Sequence, residues 1–190
     1  MHCWPGPADR INSFALVSYI PGVLGTFLDE LRRELVPDCL AQAHVSVLPP
    51  RLIESDQAAE TFIAAMLAEV SAFVLETTDI QLFESTGVIY LGLSEGRSEL
   101  KRLHDLLNRG PLKFDEPFQY SPHVTLAQVF PPDEINALAG RTRRRWADYK
   151  GPRSYLLDQL IFVQNTARNS WVDLRQFTLA GTPTYSNISS

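Results

Sequence analysis

Apolar residues fill Phe14 to Ile20 with one interruption at Ser18, a length and density that predict a buried strand. Pro21 then suits the opening of a helix, where its missing N–H is not needed. Val23, Leu24, Phe27, Leu28, Leu31 and Leu35 recur at helical spacing, and Pro37 ends the run. Ala43 to Leu48 predicts a short strand stopped by Pro49-Pro50, since proline cannot donate to a sheet ladder. Ser55 is a plausible N-cap for a second helix with the stripe Ala59, Phe62, Ile63, Met66, Leu67 and Val70. The period then changes. Phe73 to Glu76, Ile80 to Glu84 and Val88 to Leu93 read as strands, with turns at Thr78-Asp79 and Ser85-Thr86-Gly87. Leu100, Leu103, Leu106 and Leu107 mark a third helix, closed by Gly110-Pro111. Pro122 to Val129 is a strand punctuated by Pro131-Pro132, and a fourth helix runs from about Asp133 to Trp146. Tyr155 to Gln164 and Trp171 to Leu179 are the last two strands, with Trp171 and Phe177 expected in the core.

The order β-α-β-α-β-β-β-α-β-α-β-β predicts an α+β fold with largely antiparallel pairing. One segment is echoed by another. Ala43-His44-Val45-Ser46-Val47-Leu48 leads to a Pro-Pro pair and a helix, and Pro122-His123-Val124-Thr125-Leu126-Ala127 does the same 79 residues later. The expected architecture is therefore bilobal: two similar lobes, each with an antiparallel sheet and helices, and a shared cleft between them. Residues 1–12 read as a loose N-terminal segment, 13–180 as a single bilobal domain, and 181–190 as a loose polar tail.

Composition narrows the partners. The 190 residues are 45% hydrophobic and 21% charged, enough to bury a core without staples. The formal net charge of −5 disfavours long duplex nucleic acid and favours a small or end-bound ligand, a nucleotide or an RNA end. Cys3 and Cys39 are the two cysteines; they show neither metal spacing nor a disulfide framework, so a reducing, cytoplasmic setting is expected. Ser18, Pro21, Gly22 and Gly25 break the apolar stretch from Phe14 to Leu28, which argues against a membrane span. Met1 to Asp9 lacks the basic-then-apolar order of a signal peptide. A monomer is expected.

The candidate chemistry lies in the echoed segments. In a strand, residues i and i+2 share a face. His44 and Ser46 therefore point together, as do His123 and Thr125, while Val45, Val47, Val124 and Leu126 point into the cores. Cleaving a phosphodiester needs one proton removed from the attacking oxygen and one given to the leaving oxygen. A neutral and a protonated histidine supply both near neutral pH, and fixed hydroxyls stabilise the charge gained by the non-bridging oxygens. This scheme calls for no metal or other cofactor. A histidine followed by this apolar–hydroxyl–apolar pattern arises by chance at roughly 2–3% of histidines, so one match is weak and a matched pair is not.

The two tetrapeptides resemble those of the 2H phosphoesterase superfamily, which includes the bacterial 2′-5′ RNA ligase and cyclic phosphodiesterase branch. His44-Val45-Ser46-Val47-Leu48-Pro49-Pro50-Arg51 is similar to its first motif and Tyr120-Ser121-Pro122-His123-Val124-Thr125-Leu126-Ala127 to its second. The resemblance implies a bilobal α+β fold with a central cleft, and metal-independent hydrolysis or transfer at 2′,3′-cyclic or 2′-5′ phosphodiesters. Some RNA-processing members carry an arginine two residues past the second hydroxyl, and here that position is Ala127.

Other residues compete for roles. Tyr120 either stacks on a base at the cleft mouth or is a packed tyrosine. Arg51 either reaches a phosphate or is solvated. His104 is expected on the exposed face of its helix, with Leu103 and Leu107 on the apolar one, and His2 in a loose terminus. The basic run Arg141, Arg143, Arg144, Arg145, Lys150 and Arg153 suits a helix C-terminus better than an RNA patch. The leaning is to His123 as base and His44 as acid, with the reverse nearly equivalent. The rival from another class is a non-catalytic nucleotide- or RNA-end-binding module on the same fold.

Overall fold

The computed structural model describes residues 9–37, 39, 41–128 and 134–181. In chain order its elements are β1 (Arg10–Tyr19), α1 (Gly22–Leu35), β2 (His44–Arg51), α2 (Asp56–Leu67), β3 (Phe73–Phe83), β4 (Val88–Leu93), α3 (Arg97–Leu107), β5 (Val124–Gln128), α4 (Ile135–Asp148), β6 (Ser154–Leu157), β7 (Gln159–Thr166) and β8 (Trp171–Thr178). A 3-10 turn, Gly110–Leu112, follows α3. The expected strand end at Val129, the Pro131-Pro132 pair, the helix start at Asp133, His2, Cys3 and most of the tail lie outside the described residues.

The strands form one eight-stranded sheet in the order β6-β3-β4-β5-β2-β1-β7-β8, with every neighbouring pair antiparallel. The fold is α+β, as the element pattern predicts. Its two four-stranded halves meet at β2 and β5, which pair through Val45 and Val124. Each histidine strand is thus central, each flanked by a partner strand (β1 or β4) and two more beyond it. The main core lies on the face covered by the helices, where Leu16, Val45, Val47, Leu91, Val124 and Leu126 are buried with Leu24, Leu28, Ile63 and Leu100. Ala15, Val17, Ile161 and Val163 form a smaller cluster on the other side of β1 and β7. Trp171 packs on that smaller cluster; Phe177 is in the main core.

Several local expectations are corrected. β2 continues through Pro49-Pro50 to Arg51 because its pairing with β1 slips there: Leu16 faces Leu48 while Phe14 faces Arg51. The prolines fall in that bulge, where ladder donors are not required. Thr78-Asp79 is not a turn. β3 runs through it with a slip between Thr77–Leu93 and Ile80–Leu91, and the Trp146 indole N–H donates to the Thr78 carbonyl at 2.8 Å. Tyr155 to Gln164 is two strands, not one. β6 pairs with β3 and β7 with β1, so the chain crosses between halves at Asp158, where Asp158-Gln159 interrupts the apolar run. β1 also begins inside the segment expected to be loose: the Asn12 amide donates to the Ile53 carbonyl and accepts from its N–H.

His104 is corrected too. Leu100, Leu103, His104 and Leu107 form one buried i, i+3, i+4, i+7 stripe, so His104 lies inside it, only 6% exposed. The basic run extends back from the end of α4 into its middle. Arg145 pairs with Glu34 of α1, and the Arg153 guanidinium lies 4.5 Å over Trp146. Among the described residues, no helix is long and apolar enough to cross a membrane.

Candidate active site

His44 is the first residue of β2, and His123 immediately precedes β5. Their neighbours alternate as the strand period requires: Val45, Val47, Val124 and Leu126 are buried, while His44, Ser46, His123 and Thr125 are half-buried on the opposite face. With Val45 paired to Val124, the antiparallel register sets His44 opposite Thr125 and Ser46 opposite His123. Two imidazoles and two hydroxyls thus alternate around one centre, each histidine beside the hydroxyl of the other half.

The backbone sets both rings in the same way. The Nδ1 of His44 lies 2.7 Å from the Gln42 carbonyl, and that of His123 lies 2.7 Å from the Ser121 carbonyl. A carbonyl only accepts, so each Nδ1 carries the hydrogen. That leaves Nε2 of each ring as the basic nitrogen when neutral and as a donor when protonated. The distance of two residues between ring and carbonyl is identical in the two motifs.

Both imidazoles are held below the ordinary histidine range. For His44 the largest cause is burial. The Gln42 carbonyl opposes it, the Arg32 cation and His123 push the same way as burial, and Asp29 opposes. For His123 burial is again the largest cause, opposed by the Ser121 carbonyl. His123 thus acts on His44, and among the described residues a cation, Arg32, shifts His44 alone. Arg32 lies on α1, 6% exposed, and its guanidinium donates to the Thr125 carbonyl at 2.7 Å and contacts Cys39 Sγ at 3.3 Å. Its Nε has no partner among the described residues.

Aromatic rings flank the centre. Tyr19, the register partner of His44, stands edge-on to it at 6.5 Å between ring centroids, and its hydroxyl donates to Asp173 at 2.6 Å. Burial and Asp173 raise the Tyr19 pKa well above the ordinary range, so it stays protonated. On the other half, Phe83 and Tyr90 stack at 4.1 Å, and both stand edge-on to His123, at 5.2 and 5.0 Å.

The other two candidate residues are elsewhere. Arg51 is neither solvated nor directed at a phosphate. It is buried and meets Glu116 at 2.6 Å, while its other nitrogens donate to Asn108 and to the Leu112 and Pro49 carbonyls. The β2 bulge turns it into the protein, where every nitrogen finds an acceptor. Tyr120 is packed, the second of its two expected alternatives. Its ring stacks on His104 at 4.0 Å, and its hydroxyl donates to the Ser46 carbonyl at 2.8 Å. His104 in turn meets Glu116 at 3.0 Å, so Arg51, Glu116, His104 and Tyr120 form one chain ending under Ser46. Ala127 turns into the core at a slip in the β4–β5 pairing, so its position supplies no cation to the site.

Sequence reasoning missed Arg32, Tyr19, Phe83 and Tyr90. Arg32 left a signal: it lies four residues after Leu28 on the buried stripe of α1, a cation where an apolar residue is expected. Phe83 and Tyr90 sit either side of the Ser85-Thr86-Gly87 turn and are recognisable once the hairpin register is known. Tyr19 is hidden in an apolar run.

Residues 21–168 match the family model described as the 2′-5′ RNA ligase superfamily, and the chain belongs to that family. A Bacillus licheniformis protein named "Putative phosphoesterase" is 21% identical over 169 residues, covering 87% of this chain and 98% of its own length. The fold is similar to that of E. coli LigT complexed with 3′-AMP, at TM-score 0.64 and 16% identity, covering 91% of this chain and 99% of that one. It is also similar to TT0787 of Thermus thermophilus, at TM-score 0.59 and 15% identity, covering 88% and 97%. Family membership supports a phosphoesterase enzyme.

Proposed function

We propose that this protein is a metal-independent phosphodiesterase acting on 2′,3′-cyclic phosphates or 2′-5′ phosphodiesters of nucleotides or RNA ends. The carrying observation is the pair of histidines whose Nδ1 hydrogens are tied to backbone carbonyls, leaving two Nε2 atoms for proton transfer beside two hydroxyls. In this reading the phosphate lies between the rings, and Ser46 and Thr125 donate to its non-bridging oxygens. Water attacks phosphorus and gives its proton to one Nε2. The other Nε2–H protonates the departing ribose oxygen, and the two histidines end with exchanged charge.

The asymmetry around the rings favours His44 as base and His123 as acid, the reverse of the leaning drawn from sequence. Arg32 stabilises the neutral form of His44 and has no counterpart at His123 among the described residues. The similarity to the E. coli LigT–3′-AMP complex supports a nucleotide at the paired histidines. Incubating the purified protein with 2′,3′-cyclic mononucleotides in EDTA tests the reading. Turnover to a monophosphate is expected; binding without turnover favours a binding module, and activity that returns only with added metal overturns the two-histidine scheme.

A further inference from the structure

A cavity of about 260 Å³ opens where β1 ends and β2 and β7 begin. Its lining includes Tyr19, Gln42, Leu156, Asp158, Gln159 and Ile161. Two of these belong to the His44 environment: Tyr19 is its edge-on neighbour, and the Gln42 carbonyl fixes its ring. A ligand whose phosphate lies between the histidines therefore has this cavity as the adjoining space.

The lining selects a particular chemistry. Among the described residues no lysine, arginine or histidine lines it, and Asp158 supplies a carboxylate, which disfavours a second phosphate there. Leu156, Ile161 and the Tyr19 ring give apolar walls. The Tyr19 hydroxyl is already donated to Asp173, which fixes the ring. The side chains of Gln42, Asp158 and Gln159 make no hydrogen bond to other described residues; Asp158 engages the fold through its backbone carbonyl, which accepts from Leu179. Three polar side chains without partners and a flat apolar wall suit an uncharged, planar group with hydrogen-bonding edges, which is a nucleobase.

We propose that this cavity is the base subsite and that Asp158 makes it selective for guanine. A carboxylate only accepts, and guanine offers two adjacent donors on one edge, N1–H and the N2 amine. Adenine and cytosine place an acceptor beside their amine, and uracil flanks its one N–H with carbonyls. The glutamines adapt to any base by rotation of their amides; Asp158 does not. This inference rests on the nucleotide reading above and adds to it the identity of the base.

The test uses the full chain with the four 2′,3′-cyclic mononucleotides, and calorimetry with the four nucleoside 3′-monophosphates. The guanosine compound is expected to exceed the others roughly tenfold or more in kcat/KM and in affinity, as a paired hydrogen bond to a charged group allows. In Asp158→Asn the guanosine-to-adenosine ratio should collapse toward one. A folding defect lowers all four nucleotides together and leaves the ratio, so the ratio reads the subsite. Equal kcat/KM and equal affinity for the four bases in the wild type overturn the assignment, as does an unchanged ratio in Asp158→Asn. Guanosine-selective binding without any turnover would instead sink the phosphodiesterase reading and leave the base subsite standing.

Discussion

The half of the sheet that carries His44 and the half that carries His123 are built on one plan and furnished differently. In both, a central strand offers a histidine and a hydroxyl, and the ring is tied by Nδ1 to the carbonyl two residues before it. Around His44 the furniture is polar: Arg32, Asp29, and Tyr19 bound to Asp173. Around His123 it is aromatic, the stacked Phe83 and Tyr90. A repeated scaffold thus places two chemically identical groups, and unlike neighbours make them inequivalent. Acid–base catalysis needs that inequivalence, because two histidines with the same protonation state cannot pass a proton in and out together.

The largest expected effect attacks the histidines directly. His44→Ala and His123→Ala should each lower kcat on a cyclic nucleotide by about 10²–10⁴-fold while the melting curve survives. An aryl phosphodiester with a good leaving group separates the roles. It needs no acid, so it should recover much of its rate in His123→Ala and little in His44→Ala. Recovery in His44→Ala alone would reverse the assignment.

The next effect concerns the chain beneath Ser46. Arg51→Met leaves the Glu116 carboxylate without its buried cation, which should cost about 3–5 kcal/mol of stability in urea unfolding. Activity per folded molecule should stay within a few-fold of wild type. A large rise in KM with normal stability would restore Arg51 to the substrate.

Arg32→Met probes the cation of the His44 half. Both histidine pKa values lie below 6.5 in the free protein. The base must be neutral, so kcat/KM falls as pH drops through the lowered pKa of His44. The acid must be protonated, so kcat/KM also falls as pH rises through the lowered pKa of His123. The optimum is therefore expected below pH 6.5. Removing Arg32 removes a cause that lowers the His44 pKa, so the acid limb should move to higher pH while the alkaline limb moves less. A shift confined to the alkaline limb would mean that the base is His123. Loss of the bond to the Thr125 carbonyl should also cost about 1–3 kcal/mol of stability.

Much of this inequivalence was illegible in the chain. The helices announced themselves through their 3.6-residue stripes, and the motif strands through alternation around His44 and His123, because those patterns are local. Where β3 bulges at Thr78 or the chain crosses at Asp158, the cause is pairing with a strand distant in sequence, and no local pattern records that partner. The same holds for the site. His44, Ser46, His123 and Thr125 were visible because two short motifs repeat. Arg51 and Tyr120 lie just as close in sequence to those motifs, yet the β2 bulge and the stack on His104 turn them into supports. Adjacency along the chain marks chemistry only where the strand period keeps the side chain on the site face.

Tyr120 gives the smallest and most discriminating test of how the supports serve the halves. It belongs to the His123 segment, but its hydroxyl donates to the Ser46 carbonyl of the His44 strand, so it ties one half to the other. Burial, with Glu116 and Asp105 behind it, raises its pKa far above the ordinary range, so the hydroxyl is a proton donor throughout the working pH range. Tyr120→Phe keeps the ring stacked on His104 and deletes that one hydrogen bond. The expected loss of stability is about 0.5–1.5 kcal/mol. If the bond only holds the fold, kcat is unchanged. If it fixes the height of Ser46 against the phosphate, kcat falls a few-fold with little change in KM, since the misplaced hydroxyl matters most where charge builds on the oxygens. Tyr120→Leu, which also loses the stack, should then weaken stability further without lowering kcat in proportion. Equal falls in both quantities across the two variants would show that the link carries packing alone.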